Sequence, residues 1–311
     1  MARLTALETI RRPVFLLVSL GGLAGTALMP FLLNYTLGDA PRMIRDSSLA
    51  LLFTGGLLLA AYAAGETLWG EIRRGTAAMA LAKPISRRMF LLAKAAGIAW
   101  ALALHTAASL AATLLAVRAG AVEWHLDWTA AGPSLVVFPL ALGAAAIWNR
   151  RTRRPFTSAA CFLLWAAFGV ALAWAACHET PLEHLAFPSN LDWGILGAGG
   201  LIYLLLVMAV ALATALATRL AVTPVLMGCA GIFCGGLMAD SLLGPHLETS
   251  FWARAGYALL PNGQVFWLLD ALDAAQPIPL AYVLWAVLYA GLWSAACLWL
   301  GAWSFQRLEI P

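Results

Sequence analysis

Residues able to do chemistry fall in three places in this chain. Cys177, His178, Glu179, Glu183 and His184 crowd one polar stretch, where a thiolate and imidazoles six or seven residues apart suit copper or zinc. The same residues also gather in loops simply because loops are solvated. His105 stands alone in a long apolar run, where an ionisable group is either a functional site or a neutral imidazole bonded to a neighbouring helix. The third place runs from Glu66 to Lys94, ETLWGEIRRGTAAMALAKPISRRMFLLAK, and holds six of the nineteen Lys and Arg residues.

The absent chemistry is equally informative. A phosphate-binding loop needs G-x-x-x-x-G-K-[ST], with its lysine reaching nucleotide phosphates. The two lysines, Lys83 and Lys94, each follow alanine, so this chain is not expected to hydrolyse ATP itself. There is no G-x-S-x-G and no H-E-x-x-H, which removes the familiar serine-nucleophile and zinc-protease signatures. Five cysteines, at 161, 177, 229, 234 and 297, include no C-x-x-C pair; they read as small buried apolar residues rather than a disulfide framework or a zinc module. The expected catalytic, cofactor and metal sets of the chain are therefore empty, with Cys177, His178 and His184 the residual metal candidates.

The elements that position these residues are membrane helices. Hydrophobic residues make up 62% of 311 positions and charged ones 11%, against roughly a quarter charged in a soluble domain. Crossing a hydrocarbon core takes about 20 consecutive apolar helical residues. Such runs recur over 14–37, 48–65, 95–117, 132–149, 156–177, 194–218, 221–239 and 281–305. They are continuously apolar, without the period-two alternation of a barrel strand. The fold expected is an all-α polytopic integral membrane protein, a single transmembrane domain over 1–311 with about eight spans.

Orientation follows from cation placement, since Lys and Arg are retained in cytoplasmic loops. With the N-terminus inside, fifteen of them fall on that side, and only Arg42, Arg45, Arg118 and Arg254 fall outside. Both termini are expected in the cytoplasm, with the chain in the cell inner membrane. Residues 1–12 carry Leu4, Leu7 and Ile10 at helical spacing and read as a short helix on the inner leaflet, with Pro13 turning the chain into the bilayer. Tryptophans 69, 148 and 303 fall near inner ends and 124, 128, 193 and 252 near outer ones. On the outer side, 240–280 holds two apolar pieces, FWARAGYALL and QVFWLLDAL, around Pro261–Asn262–Gly263. They are too short to span, and form either a re-entrant pair or two interfacial helices.

Within 66–94, Pro84 breaks the helical pattern, Ser86 is placed to cap the third span, and Gly75 permits a bend. The stretch 76–82 between them is short and uncharged. On physics alone it is either a topology-fixing basic loop or a surface gripped by another protein.

The run Glu71, Gly75, Thr76, then Lys83, Pro84, Ile85, Ser86, Arg87, Arg88 and Lys94, resembles the coupling-helix region of type-two ATP-binding-cassette (ABC) exporter permeases. The N-terminal helix, the outer apolar hairpin and the ending LGAWSFQRLEI resemble that family too, especially the subgroup labelled multicopper-enzyme maturation permeases. The resemblance implies the permease subunit of an ABC transporter, an exporter that is not itself an enzyme. Two permease copies or paralogues would work with two separate ATPase subunits that use ATP and Mg, with no bound cofactor and no nucleic acid, and with membrane lipids around the chain. Carried over by position, Glu66, Glu71, Arg73, Arg74, Gly75, Thr76, Lys83, Pro84, Ser86 and Arg87 would couple the permease to the ATPase. Family members commonly have six spans, so one hairpin here appears extra. From residues alone, the alternative is a polytopic membrane enzyme or metal-handling protein built on His105 or the Cys177/His178/His184 cluster.

Overall fold

A computed structural model of the chain describes residues 1–32, 39–75, 86–121, 125–180, 184–268 and 278–307. Its elements are α1 (Ala2–Ile10), α2 (Pro13–Leu32), α3 (Ala40–Arg73), α4 (Arg87–Ala119), α5 (Trp128–Thr152), α6 (Phe156–Ala176), α7 (Gly194–Leu216), α8 (Val222–Leu237), α9 (Phe251–Leu259) and α10 (Leu280–Gln306). Single turns at Ala239–Leu242, Gly244–His246 and Gly263–Phe266 lie between α8 and α10. Among the described residues there is no β-strand. The chain is an all-α polytopic membrane protein. In hydrocarbon the helix is the element that satisfies its own backbone, and long Leu/Ala-rich runs propagate it without interruption.

Seven helices, α2 to α7 and α10, are long and apolar enough to cross a bilayer. The eighth expected span, 221–239, appears as α8 with 16 residues. At 1.5 Å per residue that is about 24 Å, a few ångströms short of a typical hydrocarbon core. The helical turn Ala239–Leu242 continues it after a break at Met238.

The bundle is organised around α4. Its 33 residues follow Ser86, whose side chain accepts the Met89 amide at 3.2 Å as an N-cap. Around it pack α1, α2, α3, α5, α6, α7 and α10. With α3 and α7 it forms the buried centre, whereas α10 turns most of its surface outward through Leu284, Leu288, Leu292 and Trp299. In water such a face would be a liability; against lipid tails it is the ordinary exterior.

Contacts at the ends fix which helix termini lie together. Arg12 of the α1–α2 turn bonds Glu66 near the end of α3, and Arg87 at the start of α4 donates to the carbonyls of Phe305 and Gln306 at the end of α10. Both chain ends thus lie at one end of the bundle, which we call the basic end. At the opposite end α9 carries Phe251 and Trp252 outward, while the Tyr257 hydroxyl donates to Asp240 Oδ1 at 2.6 Å and accepts from Asn262. The first apolar piece of the outer hairpin is therefore a helix. Of the second, Gly263–Phe266 is one 3₁₀ turn started by Asn262, and 269–277 lie outside the described residues.

Candidate functional site

Two charged residues of the Glu66–Lys94 stretch, Glu66 and Lys94, meet Arg12 and Glu8 at the basic end. The helix α1 is made close-fitting by small residues: it buries Thr5, Ala6, Thr9 and Ile10 and leaves Leu4 exposed. It lies directly on α4 at Gly97, where an added Cβ would stand 2.5 Å from the Ala2 carbonyl oxygen and 2.6 Å from Thr5 Cβ. Only glycine permits that approach. Of the Leu4, Leu7 and Ile10 stripe, then, Ile10 turns into the protein and Leu4 away from it.

This docking brings Glu8 and Arg12 over the end of α3. Arg12 pairs with Glu8 and with Glu66, each at 3.0 Å. Lys94, only 7% exposed, reaches Glu71 at 2.5 Å and Glu8 at 3.5 Å. The five side chains tie α1, α3 and α4 together by charge. Partly shielded from water and hydrogen-bonded, such pairs are stronger than solvated ones.

Glu66 lies in a π turn, Gly65–Trp69, inside α3. Single π turns within α-helices recur at functional positions. Past it, α3 ends at Arg73 with Arg74 as its C-cap; Gly75 follows with φ 70°, the left-handed residue that commonly stops a helix. Arg73 and Arg74 are exposed, and Arg74 Nε folds back onto the Gly70 carbonyl. The expected coupling residues therefore divide into two groups: Glu66 and Glu71 face inward to cations of the same chain, while Arg73 and Arg74 face outward. Ser86 caps α4, and Arg87 lies over the Phe305 ring at 5.8 Å. Thr76, Lys83 and Pro84 lie outside the described residues.

Among the described residues the other sequence candidates are not brought together. His105 is 2% exposed in α4, edge-on to Phe15, and its Nδ1 has no hydrogen-bond partner among the described residues. The His178 ring lies tilted against Trp174, 4.2 Å between centroids, with Nδ1 against the Trp174 carbonyl, and His184 lies 3.9 Å from Glu179. Among the described residues no three His, Cys, Asp or Glu side chains converge on a common point, and Glu183 lies outside them.

Sequence reading missed one polar centre. Arg118, counted only as an outer cation, is buried at the end of α4. It pairs with Asp127 at 2.9 Å and donates to the carbonyls of Ala175, His178 and Glu179, capping the C-terminus of α6. The Asn190 side-chain amide donates to the neighbouring carbonyls of Ala176 and His178. A cation at a helix C-terminus meets the negative end of the backbone dipole. The only sequence signal was an Arg and an Asp nine residues apart across a short connection.

No curated protein and no solved structure matches the chain. Residues 26–178, from within α2 to just past α6, match the family model described as ABC-2 family transporter protein. That segment contains the π turn, Glu66, Glu71, Lys94 and Arg118 with its partner Asp127, and together with the apolar helices the match supports an ABC-2 type permease, a membrane-spanning transport component.

Proposed function

We propose that this permease is the membrane-spanning half of an ATP-driven exporter, working with a separate ATPase subunit that docks on the basic end, in the cytoplasm. The observation that carries the reading is the split at the end of α3. Arg73 and Arg74 point outward where a partner can reach them, while Glu66 and Glu71, on the same helix, hold α1 and α4. A push on the exposed arginines is then transmitted through ion pairs into the central helix α4. Ser86 and Arg87 fix the start of that helix and tie it to the end of α10. ATP and Mg belong to the partner, and a second permease copy or paralogue completes the unit. The direction of transport follows the resemblance to exporters, and the inner-membrane topology follows the excess of cations at the basic end.

Affinity purification of the full chain from its native membrane, with mass spectrometry of co-eluting proteins, tests the reading. An ATP-binding-cassette ATPase is expected; its absence under mild detergent would overturn the proposal. Arg73→Ala/Arg74→Ala should lower ATPase recovery while the chain remains inserted.

A further inference from the structure

The cations of the basic end differ in how their charge is used. Arg12 and Lys94 are ion-paired, and Arg87 and Arg219 hydrogen-bond within the chain, Arg219 to Ser304. The turn between α5 and α6 is different. Arg150, Arg151, Arg153 and Arg154 are all exposed, and no acidic side chain pairs with any of them among the described residues. Indeed the sequence has no Asp or Glu from 128 to 178.

The turn is nonetheless built. Arg153 adopts φ 54° and closes α5 with its amide on the Asn149 carbonyl, and the Asn149 side chain donates to the Arg154 carbonyl. Thr157 at the start of α6 donates to the Arg11 carbonyl, which sets a fifth exposed arginine beside the turn. Next to the arginines, Ile147 and Trp148 are about half exposed, and Phe156 is also exposed. Apolar and indole side chains facing outward beside guanidinium groups define the depth at which lipid tails give way to headgroups.

We infer that the Arg150–Arg154 turn, with Arg11, is a binding site for anionic phospholipid headgroups in the leaflet at the basic end. Guanidinium forks match phosphate oxygens bidentately, and a juxtamembrane cluster of this size attracts anionic lipid. A lipid is favoured over an acidic protein surface by the flanking Ile147, Trp148 and Phe156. The hairpin packs chiefly on α4 and α2, whereas the π turn meets α7 and α8; both also touch α1. This site is independent of the ATPase reading, and either stands without the other.

Native mass spectrometry of the full-length protein, released from detergent in an equal mixture of phosphatidylglycerol and phosphatidylcholine, tests it. Wild type is expected to retain phosphatidylglycerol severalfold over phosphatidylcholine, and R150Q/R151Q/R153Q/R154Q should bring the two near parity. The four-lysine variant, which keeps the charge that orients the hairpin, should retain a reduced preference. If the four-glutamine protein fails to insert, R150Q/R154Q, which leaves the other basic-end cations in place, should show about half the wild-type preference. Unchanged preference in the neutralised variants, or none in wild type, would overturn the inference. Loss of a co-purifying protein with lipid preference unchanged would overturn it in favour of a protein surface.

Discussion

Replacing Lys94 with methionine isolates the charge at the centre of the basic-end network. Methionine keeps an unbranched stem to pack where the lysine stem packs, with Nζ now 5.7 Å from the Phe90 ring centroid, so the perturbation is chiefly electrostatic. It leaves Glu71 and Glu8 without the ammonium that lies 2.5 and 3.5 Å away. Removing one partner of a fully buried pair costs about 3–5 kcal/mol. Here the Glu71 and Glu8 side chains are 19% and 36% exposed, so water recovers part of the loss, and about 2–3 kcal/mol is expected. Glu71→Gln alone should cost less, about 1–2 kcal/mol, because Lys94 keeps Glu8. A double-mutant cycle on reversible denaturant unfolding in mixed micelles, with both single variants and the pair, should return a Lys94–Glu71 coupling of about 1–2 kcal/mol. A coupling below about 0.5 kcal/mol would refute the claim that the pair joins α3 to α4. On the proposed coupling to an ATPase subunit, Lys94→Met should let hydrolysis continue while transport falls, because the ion pair joining α3 to α4 is lost.

Arg118→Ala should be the more damaging change, costing about 3–5 kcal/mol, because it strands a buried Asp127 and uncaps α6; Arg118→Lys should restore little, as one ammonium cannot span the carboxylate and the carbonyls, and thermal unfolding of both variants checks this. Tyr257 predicts an alkaline effect. Its pKa is raised above 10.0, first by the hydrogen bond to Asp240 and then by burial and the neighbouring charge. Because the folded state holds the proton more tightly, the stabilisation is full below the unfolded value near 10 and is lost as pH rises through the higher folded one. Protection of α9 from amide exchange, corrected for the intrinsic rate, should drop over that alkaline window in wild type and stay level in Tyr257→Phe.

Much of the fold was legible because hydropathy is a local property. Each long apolar run became a helix, the Ser86 cap followed from its position before Arg87, and Asn262 started a turn where Pro–Asn–Gly predicted one. The basic-end network was not legible, because it joins residues 23, 54 and 86 positions apart, and nothing in a linear pattern tells a solvated Glu from one facing a cation on another helix. For that reason the intrachain partners of Glu66 and Glu71 could not be read from the sequence. The other face of α1 was not legible either: its closest packing is by Thr5 and Ala6 against Gly97, a fit set by shape rather than by hydropathy. Arg118 escaped notice because its burial depends on the end of α6 arriving from some 57 residues away.

The π turn in α3 sets the rotational phase of everything after it. In an unbroken α-helix, Glu66 and Glu71, five residues apart, would point about 140° apart around the axis. A turn bonded i to i+5 brings residues of that separation toward one flank, which is how one helix offers Arg12 and Lys94 a carboxylate each. Tightening that turn to α geometry would swing Glu71 off Lys94 without moving Glu66, so the register of this single turn decides whether the end of α3 stays ion-paired to α4.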